Sequence, residues 1–251
     1  MSFLFYIKNK IAFKGLPYQE RSSPFFLPPT ERGNNLFHKY CFSNYANSFN
    51  ETTVSESLGV LDLLDVLPLH YFSSLPQQFL SIDIGAKNWK YLPGIALWLE
   101  RAVGNKKLEM FGIEIDAFRL YADFRTRWSY ANYYASKLSG QNRSFVYKAA
   151  DFRGCNLKAE LITCFFPFVF ENPHRAWGLP RSLFSPSKFF DHLQSCLLPG
   201  GLFIMANQGE WEWKESLKFV SELKLLHIEE MEGSLHPCTH KIFLTLWTRV
   251  A

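Results

Sequence analysis

Three carboxylates stand where short apolar runs end. Asp83 closes FLSID (79–83) just before Gly85, Glu114 closes LEMFGIE (108–114), and Asp151 follows SFVYK (144–148) by three residues. In the first run Leu80, Ile82 and Ile84 alternate with Ser81 and Asp83, the period of a buried strand, and the run stops at a glycine. An amphipathic segment, 91–102, follows at once. Strand, glycine turn and helix form the opening unit of a nucleotide-binding α/β sheet, in which ligands sit outside the carboxyl ends of the strands. Acids on three neighbouring strand ends can accept hydrogen bonds from a ribose diol, an amine or a ligand ammonium. A glycine between them lets backbone approach a ligand because no Cβ intrudes.

The elements that must hold these acids alternate. A helix over 56–67, ended by Pro68, leads to the first strand at 79–84. Its helix contains Pro93, which the first turn tolerates. The second strand spans 108–115, and an aromatic helix with Phe118, Tyr121, Phe124, Trp128, Tyr130 and Tyr134 is expected after it, closed by Gly140. Strands follow at 144–148 and 160–166, the latter apolar enough to be covered on both faces. A loop is expected over 171–184. Ser185-Pro186 is a helix start, with Ser185 as cap and proline at the first helical position. The helix 187–197 ends at Leu198-Pro199-Gly200-Gly201 before a fifth strand, 202–206. A helix over 212–223 and two strands, 225–231 and 241–248, joined by a turn, close the chain. Alternation predicts an α/β fold: a mostly parallel seven-stranded sheet, helices on both faces, and a terminal antiparallel strand pair.

Composition narrows the class. With 251 residues and 47% apolar content the chain can build a large core. The formal net charge of +4 lies entirely in residues 1–50, which hold six basic and two acidic residues; the rest is neutral. A nucleic-acid enzyme usually carries a stronger basic stripe. Five scattered cysteines without a CxxC pair fit reduced thiols and a cytoplasmic setting. The opening MSFLFYIKNK has no basic segment ahead of its apolar residues and is interrupted by Lys8, so no secretory signal is expected. The longest apolar runs, such as 161–170, fall short of the roughly twenty residues that span a bilayer, and no membrane partner is expected.

In the joint spacing of four pieces the chain resembles the class I S-adenosylmethionine-dependent methyltransferases, over residues 57–251. The pieces are IDIG (82–85), FGIEID (111–116), AADF (149–152) and LLPGGLFIMAN (197–207). The resemblance implies a Rossmann-like fold, S-adenosylmethionine as cofactor, and a cofactor site made of Asp83, Gly85, Ala86, Lys87, Glu114, Ile115, Asp151 and Phe152. Asp83 and Gly85 would sit near its methionine end, Glu114 would take the ribose hydroxyls, and Asp151 and Phe152 would border the adenine. One departure stands out. The family's first motif has further glycines where this chain has Lys87 and Trp89. Either the turn takes another path, with Lys87 reaching outward or to the cofactor carboxylate, or the site is impaired. The GxGxxG fingerprint of dinucleotide enzymes is absent.

Methyl transfer from a sulfonium is an in-line displacement in which the protein mainly positions the reactants and excludes water. The acceptor is expected near the fourth strand's end, which reads CFFPFVFENPH (164–174). The Asn or Asp followed by two prolines and an aromatic, carried by family enzymes that methylate exocyclic amines of bases, is replaced there by Phe165-Phe166-Pro167-Phe168. A small-molecule methyl acceptor is therefore expected rather than nucleic acid. Glu171 and His174 are the candidate catalytic bases, against a reading of His174 as a solvated loop residue; Asn207, Gln208 and Glu210 could line the same mouth. Phe168 could belong to the core and also border the acceptor. His236-Pro237-Cys238-Thr239-His240 offers three zinc-ligand types in five residues without a fourth nearby, and a surface turn is expected there instead of a metal site. Residues 1–56 form a separate aromatic and basic extension, broken by Pro17, Pro24, Pro28 and Pro29. An irregular arm packed on the body is expected there; a lid or partner-binding arm is the sharper alternative. The competing functions are a non-catalytic binding or scaffold protein that kept the fold, and an RNA methyltransferase that uses the basic arm.

Overall fold

The computed structural model describes residues 2–21, 28, 30–43, 48–238 and 240–250; Pro24, Pro29 and Thr239 lie outside them. The period-two runs form the sheet as expected: β1 (Gln78–Ile84), β2 (Lys107–Glu114), β3 (Arg143–Ala149), β4 (Ala159–Phe165), β5 (Leu197–Gln208), β6 (Leu223–Met231) and β7 (Ile242–Arg249). Their order is β3-β2-β1-β4-β5-β7-β6. All neighbours are parallel up to β5, and β7 runs antiparallel to both β5 and β6. The chain therefore reverses its direction of travel across the sheet between β3 and β4. That switch opens the crevice above β1 and β4 in which ligands of such sheets sit.

Eight helices surround the sheet among the described residues: α1 (Ser2–Ile11), α2 (Glu31–Lys39), α3 (Glu51–Leu64), α4 (Leu92–Val103), α5 (Arg127–Leu138), α6 (Glu171–Ala176), α7 (Pro186–Cys196) and α8 (Gly209–Leu217). Alternation along the strands divides the core in two. Phe79, Met110, Leu161 and Ile204 pack on one face with α3, α4 and α5. Ile82, Ile84, Ile113, Ile162, Phe203 and Met205 pack on the other with Phe190 and Leu193 of α7.

Several elements differ from the sequence expectation. The aromatic helix after β2 starts only at Arg127, because Thr126 and Ser129 form a reciprocal capping box that fixes its first turn there. Residues 117–126 instead form turns and a small hairpin through the Leu120–Thr126 bridge. Asn50 caps α3 by accepting from Thr53 N, so the helix begins at Glu51 and runs through the boundary expected between 56 and 57. The extension is not wholly irregular. α1 and α2 are helical, α2 is capped by Thr30, and Leu36, Phe37, Phe42 and Phe49 join the main core. Short α6 interrupts the loop expected over 171–184. Ser185 stands at the cap position of α7 but makes no side-chain cap bond; Pro186 sets the first turn. β5 runs through the Pro199-Gly200-Gly201 stretch instead of starting after it.

α3 and α4 cross at a single glycine. A Cβ on Gly94 would stand 2.3 Å from the carbonyl oxygen of Ser57, a backbone atom that cannot swing aside. Gly94→Ala is expected to cost about 3 kcal/mol by forcing the helices apart. Thermal unfolding checks this, and an unchanged melting temperature would mean that the two helices can slide.

Candidate functional site

The polar row beneath the first turn decides what faces the ligand side. Tyr147, Gly112, Asp83 and Thr163 are aligned across β3, β2, β1 and β4. Strand alternation turns Asp83 toward the α4 face, and Trp89, Tyr91 and Thr163 cover it there, beneath the crevice. Its carboxylate accepts from Trp89 Nε1 (2.8 Å), the Tyr91 hydroxyl (2.9 Å) and Thr163 Oγ1 (2.7 Å), and it is fully buried. Burial pushes its carboxyl up to about 6 despite those three donors.

Trp89 explains how the turn dispenses with its expected glycine. Its indole lies over Gly112, where an added Cβ would be only 2.7 Å from the ring. Lys87 and Trp89 both adopt left-handed backbone, with φ of 51° and 54°. The conformation that glycine serves is thus kept, at a backbone cost offset by burying an indole. The bulk of Trp89 goes beneath the turn, not into the ligand space. Gly85, at φ 77°, has nothing within 4 Å of the position a Cβ would take. The amides of Gly85 and Ala86 donate to Ile113 O, and that of Lys87 donates to Glu114 Oε2 (2.9 Å).

Above the carboxyl ends of β1, β2 and β4 lies a cavity of about 600 Å³, a size suited to a small organic ligand. Of the residues singled out from sequence, Gly85, Lys87, Glu114, Ile115, Asp151, Phe152 and His174 line it. Asp83 and Ala86 are buried behind its wall. Glu171 is turned away to Arg181 Nε at 3.0 Å. Gln208 is on the wall, whereas Asn207 is buried against Ser216 and Glu210 pairs with Lys214.

Glu114 is held tightly. Oε1 accepts from Asp116 N (2.8 Å) and from the Arg127 guanidinium (3.0 Å), which with the Lys87 amide fills three of the roughly four acceptor directions of a carboxylate. Asp151 caps the short turn at Phe152–Gly154 and is gripped by Arg153 in a fork (2.6 Å at its shortest). Burial works to raise its pKa, and the Arg153 bonds outweigh it and hold the carboxyl below its ordinary value. Lys87 extends along the wall with Nζ 4.8 Å from the centre of the Trp177 ring, and it has no ion pair among the described residues. Burial, reinforced by Arg127, lowers its pKa.

The far wall is aromatic: Phe165, Phe166, Phe168, Trp177 and Phe184. His174 is buried, not solvated. Its ring stands edge-on to Phe168 and packs against Phe184, its Nδ1 has no partner, and burial lowers its pKa so that it is neutral. His236 also faces inward, against the expectation of a surface turn. Asp62 Oδ2 accepts from Ser234 Oγ and Leu235 N, both at 2.8 Å, and pulls the β6–β7 loop onto α3, where the His236 backbone meets Gly59. The His236 ring packs on Phe166, and burial takes its pKa down to about 4. No group of His, Cys, Asp and Glu among the described residues is arranged to hold a metal.

Sequence reasoning missed Glu56, Arg127, Arg153, Trp177 and His236 as wall residues. Arg127 had a local signal, the Thr126 and Ser129 cap that starts its helix. Glu56 comes from the middle of α3, and Arg153, Trp177 and His236 arrive through turn and loop packing that no local pattern records.

No protein-family model matches the chain, and no curated protein does. Among solved structures it is similar to a magnesium protoporphyrin IX methyltransferase from Synechocystis with bound S-adenosylmethionine, at 12% identity and TM-score 0.49, over 89% of this chain and 100% of that one. It is also similar to an S-adenosylmethionine-dependent methyltransferase from Clostridium acetobutylicum, at 12% identity and TM-score 0.47, over 87% and 99% of the two chains. A ribosomal RNA methylase from Streptococcus thermophilus matches at 11% identity and TM-score 0.43, over 73% and 94%. With its sheet order, its antiparallel β7 and its cavity on the carboxyl edge, the chain has the Rossmann-like fold of the class I methyltransferases.

Proposed function

We propose that this protein is an S-adenosylmethionine-dependent methyltransferase acting on a small-molecule acceptor. The observation that carries the reading is the cavity itself, which brings Gly85, Glu114 and Asp151, from three successive strand ends, to one wall. The residues fit the cofactor. Gly85 leaves open space beside the turn, Glu114 keeps one acceptor direction for a ribose hydroxyl, and Ile115 and Phe152 offer apolar surface to the adenine beside Asp151. Lys87, on the cavity wall and without an ion pair among the described residues, suits the cofactor's carboxylate. When bound, S-adenosylmethionine supplies a methyl group on a sulfonium, open to in-line displacement.

The chain's own residues do the rest. Phe165, Phe166 and Phe168 keep water from the acceptor end, and the φ of 61° at Phe166 aims the chain across the cavity just after β4. His174 Nδ1, neutral and unpartnered, is placed to take a proton from an acceptor hydroxyl or amine. The enclosure by aromatic side chains favours a small acceptor over a polymer. Five free thiols accord with a reducing, cytoplasmic setting.

A second reading is binding without transfer. The three donors already on Glu114 and the Arg153 grip on Asp151 favour it, since both acids are largely committed to the protein. Calorimetric titration with S-adenosylmethionine and its demethylated product tests both. Saturable binding, weakened roughly tenfold (about 1.4 kcal/mol) in Glu114→Gln, is expected. The amide keeps an oxygen for Arg127, so the variant stays folded. Absence of binding to the folded protein would overturn the reading. Binding without product formation on any acceptor supplied would favour the second.

A further inference from the structure

Surface helices ordinarily bury their apolar stripe. α1 does the reverse. Phe5, Lys8 and Asn9 face the body, where Phe5 is buried and Lys8 pairs with Asp116 on the cavity wall. Leu4, Ile7 and Ile11, at helical spacing of three and four, point outward, and Leu4 and Ile11 are two-thirds exposed (68% and 67%).

The apolar surface continues past the helix. Phe13 and Leu16 are exposed, and the Leu16 amide donates to Phe124 O at 3.0 Å, which ties this run to the small hairpin at 120–126. Phe124 sits at the hairpin's tip, 67% exposed and in left-handed backbone at φ 62°. An aromatic residue in that conformation is strained. Cations flank the stripe. Lys10 lies one helix position to the side with no ion pair among the described residues, and Lys14 stands over the face of Trp128.

We propose that α1 and the 120–126 hairpin form a docking surface for a lipid bilayer bearing anionic headgroups. The surface presents exposed Leu, Ile and Phe side chains. A bilayer interface accepts such side chains without needing a matching groove, while lysines reach the phosphates beside them. No helix of the described residues is long and apolar enough to cross a membrane, and a helix lying in the interface needs no such length. Docking also sets the cavity wall near the membrane, because α1 is tied to that wall by Lys8–Asp116 and to the segment before Leu183 and Phe184 by Tyr6–Ser182 (2.9 Å).

The test is flotation of the full chain with vesicles of equal parts phosphatidylcholine and phosphatidylglycerol, and with phosphatidylcholine alone. Binding to the anionic vesicles is expected. It should weaken at least tenfold in the exposed-site variant Ile7→Ser/Ile11→Ser/Phe124→Ser, and its preference for anionic lipid and its salt sensitivity should fall in Lys10→Glu/Lys14→Glu. Unfolding curves matching those of the unsubstituted protein show that the variants are folded, and the binding is read without any methyl donor, so failure here is separate from failure of the proposed activity. No flotation with anionic vesicles, or equal flotation of the triple variant, overturns the proposal. A solution dimer that the triple variant turns into monomer, without vesicle binding, assigns the face to a second copy of the chain and likewise overturns it.

Discussion

Glu114→Ala is expected to abolish measurable binding of the demethylated cofactor product and to lower the melting temperature by roughly 10 °C. Two separate losses combine. The ribose partner disappears, and the Arg127 guanidinium, buried with side-chain exposure of only 6%, loses its hydrogen-bonded carboxylate and keeps only the more distant Asp116 at 3.9 Å. Removing one partner of a buried pair costs about 3–5 kcal/mol, and each kcal/mol moves the melting temperature of a chain this size by about 2–4 °C. The Lys87 amide also loses its acceptor, so the first turn loosens. The double variant Glu114→Ala/Arg127→Met separates the two roles. It removes the stranded charge and should recover most of the stability without recovering the ligand. Differential scanning calorimetry and titration on the three proteins check this. A double variant that regains binding would show that Glu114 serves only to neutralise Arg127.

Asp83→Asn is expected to change how stability depends on pH. Burial lifts the Asp83 carboxyl from 3.8 to about 6 in the folded chain. For an acid whose folded pKa lies above the unfolded one, the native state binds the proton more tightly. Its contribution is therefore fully present below about pH 4 and is lost as pH rises through about 6. A shift near two units corresponds to roughly 3 kcal/mol. Relative to the asparagine variant, the unsubstituted protein should lose that much stability between pH 4 and pH 7, measured by denaturant unfolding across the range. The amide suits the comparison: its oxygen can accept from Trp89 and Tyr91 while its nitrogen donates to Thr163 Oγ1. Parallel pH profiles for the two proteins would show that Asp83 keeps an ordinary pKa in its buried site.

The three site acids illustrate how differently one sequence signal resolves. Each closes a strand, yet their side chains go different ways. Glu114 and Asp151 reach the cavity wall, whereas Asp83, on the same sheet face as Glu114 but inside β1, is covered by Trp89, Tyr91 and Thr163. The replaced glycines of the first motif show the same limit. Lys87 and Trp89 stand where the family has glycines, which left open whether the turn is rerouted or the site impaired. Trp89 instead lies on Gly112, which is 23 positions further along and becomes its neighbour only through the β1–β2 register. Glu171 and His174 are three residues apart on one short helix, and only His174 meets the cavity.

Local pattern determined the strands, the glycine turn after β1, most helix positions and the antiparallel closing pair, because alternation and turn chemistry are properties of neighbouring residues. The resemblance carried by IDIG, FGIEID, AADF and LLPGG supplied the fold family for the same reason. Tertiary structure alone decided the rest. The Thr126 cap overrode an aromatic spacing that looked helical from Phe118 onward. Asp62 drew His236 from an expected surface turn into the cavity. α1 turned its apolar stripe to solvent because Lys8 and Phe5 found partners on the body. Each outcome depends on contacts between segments far apart in the chain, where packing geometry and the pairing of buried charge outweigh local preference.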